Sequence, residues 1–167
     1  MTESAIPLNQ DEFRNAMRFW ASGVTIVSAE YEGIRHGMTV SAFFSVSITP
    51  PPRVLISLSW GSRTRELVQK GNCFGVTILT SVQQELSERF AGRYTDDANR
   101  FEGLQTFTLS TGAPFLAGGL AFFDCRVVSA VDTGEHTLYI GEVVAVSQGQ
   151  AGQPLLYYNR GYQKLES

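Results

Sequence analysis

Short apolar runs recur along the chain, separated by breaks rich in glycine or proline, and in one of them hydroxyl residues recur with a period of two. Val24-Thr25-Ile26-Val27-Ser28-Ala29 reads as a first strand, followed by a turn at Glu32-Gly33. The next run, Gly37-Met38-Thr39-Val40-Ser41-Ala42-Phe43-Phe44-Ser45-Val46-Ser47, reads as one second strand. Pro50-Pro51-Pro52 ends it, because proline donates nothing to a sheet ladder. Residues 54–58 and 73–79 read as a third and a fourth strand. Residues 119–131 and 137–146 form a long pair joined around Gly134, and 155–158 with 162–165 form a terminal pair.

Helical spacing occurs in three places. Asn9 with Glu12 has capping-box spacing, and Phe13, Met17 and Trp20 recur at helical intervals, with Ala16 and Phe19 widening the stripe and Gly23 as the stop. This helix is expected to lay one face on the sheet or on a partner subunit. Ser62 fits the N-cap of a helix over 64–70 that Gly71 closes, and Ser81 with Gln84 opens another that runs to Phe90. Residues 93–118 read as a long connection with a short strand at 107–109, and long connections are often functional. Residues 1–8 read as a loose arm and 9–167 as a single domain.

The chain has 167 residues and is 43% hydrophobic, enough for one domain with a real core but not for two. The pattern defines a mainly β protein with an antiparallel sheet and a few peripheral helices. A closed or split barrel would remove most sheet edges, although periodicity alone does not separate a barrel from a sandwich. The net charge is −3 with no basic cluster, so neither nucleic acid nor an anionic membrane is an expected partner. The chain shows no charged-then-apolar leader and no apolar run of membrane-spanning length, and its cysteines are sparse. The expected location is the cytoplasm. Cys73 and Cys125 lie in separate strands among apolar residues and read as buried thiols, a disulfide between them being the lesser alternative.

Several chemistries drop out. No two glycines are separated by a single residue, so no Gly-x-Gly-x-x-Gly fingerprint exists, and neither a Walker loop nor a Gly-x-Ser-x-Gly elbow occurs. Two histidines and two distant cysteines make no convincing metal centre, and no metal is expected. What remains is the second strand. Hydroxyls at Thr39, Ser41, Ser45 and Ser47 form a shallow polar wall beside Phe43 and Phe44, where a core strand would carry Val or Ile. Such a wall suits a flat heteroaromatic ligand with polar edges. The same alternation also fits a strand with its hydroxyls in water. Ser62-Arg63-Thr64 at a helix start offers amides, hydroxyls and a cation to a phosphate, or is an ordinary cap with a solvated arginine. Arg93 is a second phosphate candidate or a surface residue. His136 stands on a turn, where a histidine is commonly exposed.

The run from Gly37 to Ser47, the triple proline, Ser62-Arg63-Thr64 and Gly134-Glu135-His136, in this order, resemble the short flavin reductases. These are the NAD(P)H-dependent reductase components of two-component flavin monooxygenases. The resemblance runs from about Phe13 to Leu165, and the closing Pro154-Leu155-Leu156-Tyr157-Tyr158 fits it; Glu135 stands where the family usually has Asp. It implies a Greek-key split β-barrel of the FMN-binding type and a homodimer with sites at the subunit interface. It implies that FMN or FAD is reduced by NADH, with NADPH as an alternative, and that a monooxygenase uses the product through diffusive transfer. It places the ring along Met38, Thr39, Val40, Ser41 and Ala42, partly on main-chain groups, with Ser57 on the ribityl chain. It places the phosphate end at Ser62, Arg63 and Thr64, with Arg93 as the further cation, and the nicotinamide near His136, a positioning group first. His36 is a weaker candidate near the ring. Two other jobs suit the same fold: an oxidase or nitroreductase-like enzyme with tightly held FMN, and a non-catalytic flavin or haem binder acting as a redox sensor.

Overall fold

The computed structural model describes residues 9–92 and 99–165. In chain order the elements are α1 (Gln10–Met17), β1 (Ser22–Gly23), β2 (Thr25–Tyr31), β3 (Ile34–Val40), β4 (Phe43–Ser47), β5 (Arg53–Ser59), α2 (Arg63–Gly71), β6 (Cys73–Ile78), α3 (Gln84–Phe90), β7 (Thr106–Thr108), β8 (Pro114–Leu116), β9 (Ala121–Asp132), β10 (His136–Gln148), β11 (Leu156–Tyr158) and β12 (Gly161–Gln163). The arm expected over 1–8 and Arg93 lie outside the described residues.

Seven strands form one sheet in the order β3-β2-β6-β9-β10-β5-β4, and each neighbouring pair is antiparallel. The two edge strands of this sheet, β3 and β4, are consecutive in the chain and are joined by only Ser41 and Ala42. Three peptide units span at most about 11 Å, so the two edges must meet at this joint. The sheet therefore curls into a barrel. No ladder joins β3 to β4 among the described residues, so the barrel stays split there. The link from β5 to β6 carries α2 past the positions that β9 and β10 later fill, a Greek-key return.

The inside of the barrel is filled by residues at every second strand position. Val54, Ile56 and Leu58 of β5, Phe74 and Val76 of β6, and Tyr139 of β10 belong to this core. β2 is buried on both faces: Val27 points into the barrel core, while Ile26 belongs to a second cluster with Phe90, Phe101 and Leu155 under α3.

Several local expectations are corrected. The hydroxyl-rich run is not one strand but two, broken at Ser41-Ala42 where the barrel turns its corner. α1 stops at Met17, short of Trp20, and none of its residues is buried, so its apolar stripe lies on no part of this chain's core. Gly23 belongs to β1 and is not a helix stop. Gly71 lies within α2, and Asn72 (φ 54°) takes the left-handed position, its N–H donating to the Val68 carbonyl. The cap of α3 is Gln83, not Ser81; its side chain accepts from the Thr80 N–H and donates to the Ala117 carbonyl. The short strand expected at 107–109 occupies Thr106–Thr108 and pairs with β8, which the sequence pattern did not single out. Both cysteines are free thiols; Cys125 is buried and Cys73 half-buried.

Candidate active site

Strand β5 is the hub. Val54, Ile56 and Leu58 are buried in the barrel, which turns Ser57 and Ser59 outward. On one side the Ser57 N–H donates to the Ala42 carbonyl (3.2 Å), at the joint between β3 and β4. On the other side Ser59 lies directly opposite His136 in the β5–β10 ladder. Beyond Ser59 the chain passes through Trp60 and Gly61 to Ser62, the N-cap of α2. Three groups far apart in sequence, Ala42, Ser62 and His136, thus adjoin the second half of β5 or follow directly from it.

A cavity of about 450 Å³ opens here, lined by His36, Met38 and Thr39 from β3, Gly61, Ser62 and Arg63 from the start of α2, and Phe90, Ala91 and Arg100. That volume is ordinary for a small-molecule site. Among the described residues no carboxylate lines it, while two arginines and the N-terminal end of α2 do. The electrostatics suit an anionic group.

The expected site residues divide as follows. Met38 and Thr39 are half-buried on the cavity wall, and the Thr39 hydroxyl donates to the Ser87 carbonyl (2.6 Å). Val40 belongs to the barrel core, so only its main chain faces outward. Ser41 is exposed and lines a second cavity, about 280 Å³, with Trp20, Phe43 and Phe44. Ala42 and Ser57 are half-buried and share a backbone hydrogen bond. Ser62 Oγ accepts from the Arg65 N–H (3.3 Å), and Arg63 is exposed on the cavity wall. Thr64 is completely buried, and its hydroxyl lies 2.8 Å from His36 Nδ1. The Thr64 side chain therefore braces His36, which leaves its backbone amide as the group it can offer a ligand. His136 is exposed at the start of β10, its carbonyl accepting from the Thr133 N–H (2.9 Å) and hydroxyl (2.8 Å). It lines neither cavity.

Three residues that the sequence pattern did not mark belong to this region. Arg100 Nη1 donates to the carbonyls of Gly37 (3.0 Å) and Phe90 (2.9 Å), pinning β3 to the end of α3 where both border the cavity. Arg65 Nε donates to Thr137 Oγ1 (2.9 Å), tying α2 to the strand that carries His136. The Arg65 guanidinium also sits 4.8 Å from the centre of the Trp60 ring. An arginine within an irregular stretch carries no periodic signal; the one available clue was Phe101 beside Arg100, whose ring packs edge-on against Phe90 at 5.0 Å.

The thiols stand apart from this chemistry. Burial pushes the Cys125 thiol far above its ordinary value, with the Asp124 carboxylate adding to the shift, and burial raises Cys73 as well. No cluster of three or more metal-ligating side chains occurs among the described residues.

The flavin reductase like domain model matches residues 17–166. The chain belongs to this family, and its barrel is of the family's split-barrel type. It is 38% identical over 161 residues to the NADH-dependent flavin reductase StyB of Pseudomonas fluorescens, covering 95% of this chain and 91% of that one. It is 39% identical over 152 residues to the reductase component of the 4-nitrophenol 4-monooxygenase/4-nitrocatechol 2-monooxygenase of Rhodococcus opacus, covering 91% of this chain and 79% of that one. The structure of the styrene monooxygenase flavin reductase (SMOB) of Pseudomonas putida S12 superposes with a TM-score of 0.83 at 38% identity, covering 93% of this chain and 98% of that one. A carboxylate-free cavity with arginines, hydroxyls and a helix start is a fitting donor set for the phosphate end of a flavin.

Proposed function

We propose that the chain is an NADH:flavin oxidoreductase that reduces FMN or FAD and supplies the reduced flavin to a partner monooxygenase. The relatives support this reading: one is named an NADH-dependent flavin reductase and another the reductase component of a monooxygenase. What supports the site is the cavity that joins Met38 and Thr39 to Ser62 and Arg63, with Ala42 bonded to Ser57 and His136 paired with Ser59 on the adjoining β5. Use of NADH places the work in the cytoplasm, and the working unit is a homodimer.

Bound flavin supplies the electron acceptor, and nicotinamide the hydride. The protein's task is placement. The amides at the start of α2, with Ser62, Arg63 and Arg100, hold the phosphate end. Thr39 and the main chain of residues 40–42 hold the ring edge, and Ser57 the chain between them. Hydride would pass between the two bound molecules, so no side chain needs to act as nucleophile or base. His136 positions the nicotinamide against the ring, and contact distance between the two is the main catalytic requirement.

Steady-state oxidation of NADH and NADPH with free FMN and with free FAD tests the activity. Turnover of many equivalents of added flavin supports it, whereas one bound flavin that never exchanges would identify a tightly loaded flavoprotein instead. His136→Ala tests the assignment within the site. Its expected effect is near-normal affinity for oxidised flavin with anaerobic reduction by NADH slowed about tenfold or more, as small misplacement at the reacting centre is costly. Wild-type reduction rates across the whole NADH range would make His136 a plain turn residue.

A further inference from the structure

Trp60 is a large aromatic residue left exposed beside the proposed site. It is 56% exposed, at the end of the strand around which the proposed site is built. Its backbone is fixed: the Trp60 N–H donates to the Glu135 carbonyl at 2.8 Å, next to His136. Its ring is covered on one side by the Arg65 guanidinium, 4.8 Å from the ring centre, and that arginine is itself anchored by Nε to Thr137 Oγ1 at 2.9 Å. An indole braced behind by an anchored cation and exposed elsewhere is a preorganised stacking surface, because little side-chain freedom is left to lose on binding. Trp60 does not line the cavity of Gly61, Ser62 and Arg63 that suits the flavin phosphate. It lies instead on the side of β5 that faces Glu135 and His136.

We propose that Trp60 is a stacking platform for a base of the nicotinamide dinucleotide, with Arg65 as the residue that positions it. This rests on the functional reading above. The role is specificity and placement, since the indole has no part in hydride movement. A purine or pyridinium ring laid on the open indole face would lie beside the His136 turn and outside the flavin phosphate cavity. The dinucleotide would then be bound without a Rossmann unit, by an aromatic face and a histidine.

The test uses the full-length protein and NAD⁺ as a non-reducing probe. Trp20→Phe leaves Trp60 as the sole tryptophan of the two in the chain. Its emission is expected to be quenched saturably by NAD⁺, with a midpoint matching the inhibition constant of NAD⁺ against NADH. Trp60→Ala is expected to raise the KM for NADH by about tenfold, with the KM for flavin changed by less than about twofold, and Trp60→Phe to restore most of the loss, because stacking needs a π-face and not a particular ring. Arg65→Met should shift the KM for NADH in the same direction by a smaller factor. A folded Trp60→Ala variant with wild-type kinetics overturns the proposal. A change confined to the flavin KM overturns it too, giving the platform to the flavin, as does a fall to monomeric mass in light scattering, which would make Trp60 an interface residue. If the wild-type protein oxidised no NADH with any free flavin, the functional reading itself would fail, and that outcome is separate from these.

Discussion

Thr64 and Ser62 stand two residues apart at the start of α2, yet they answer to different demands. The Thr64 hydroxyl is fully buried against His36, whereas Ser62 Oγ is half-buried and caps the helix. Thr64→Val keeps the volume and removes one hydrogen-bond partner of a buried imidazole. The expected cost is about 1 kcal/mol or more, read as a fall of a few degrees in Tm, with flavin affinity affected only through His36. Ser62→Ala also costs about 1 kcal/mol through the lost cap, but it should weaken flavin binding directly, by several-fold in a fluorescence titration. Equal flavin affinity in the two variants would remove Ser62 from the phosphate site. The triplet Ser62-Arg63-Thr64 was legible in the sequence as a helix start. That its middle and outer members point to a cavity while Thr64 points inward was not, because inward and outward along a helix depend on which face the barrel claims.

Cys125 carries a pH consequence at the same scale. Burial and Asp124 raise its folded-state pKa above the ordinary value of 9.0, so the native thiol stays neutral where the unfolded thiol ionises. The native state is therefore at no disadvantage below about pH 9 and loses stability progressively above it, as the unfolded state sheds a proton that the folded state keeps. Urea midpoints measured at pH 7 and at pH 10.5 should fall for the wild type, and by less for Cys125→Ala. An identical fall in both proteins would assign the alkaline loss to other groups.

At the scale of the element, close approach of backbones shapes the strand pairs. A Cβ at Gly141 would lie 2.5 Å from Phe74 Cζ and 2.9 Å from Cys125 Cβ, at the point where the β9–β10 register shifts. Gly141→Ala must push a core ring aside, with an expected cost of about 1–3 kcal/mol in chemical denaturation; an unchanged midpoint would mean that the Phe74 ring moves freely. The long strands β9 and β10 were legible because two β-branched- and aromatic-rich runs flank Gly134. The hydroxyl-rich run was legible as strand but not as two strands, since neither Ser41 nor Ala42 is a breaker and the break comes from closing the barrel. The reach of α1 was overread for a similar reason: Trp20 keeps helical spacing with Met17, but the chain has already turned toward β1.

At the scale of the whole molecule, large apolar side chains gather at two places on the described surface. Phe44 (49%), Val46 (49%) and Ile48 (87%) are exposed at β4 and just beyond it, and Phe13, Met17 and Trp20 are exposed around α1. Patches of this kind mark interaction surfaces. A dimeric mass at micromolar concentration in light scattering is the expected result, and Ile48→Asp should weaken it; a monomer for the wild type would leave the apolar face of β4 to another partner.

The joint at Ser41-Ala42 has a last consequence. An ordinary sheet edge is indiscriminate: its row of vacant donors and acceptors will accept any extended peptide. Here β3 and β4 meet at a two-residue corner with no ladder between them among the described residues, and the Gly37 carbonyl of β3 accepts from Arg100. A strand added along β3 would have to displace the Arg100 contact and could run no further than Ser41-Ala42 before meeting β4. The two-residue joint thus sets a limit on how far a neighbouring chain could extend either edge of this sheet.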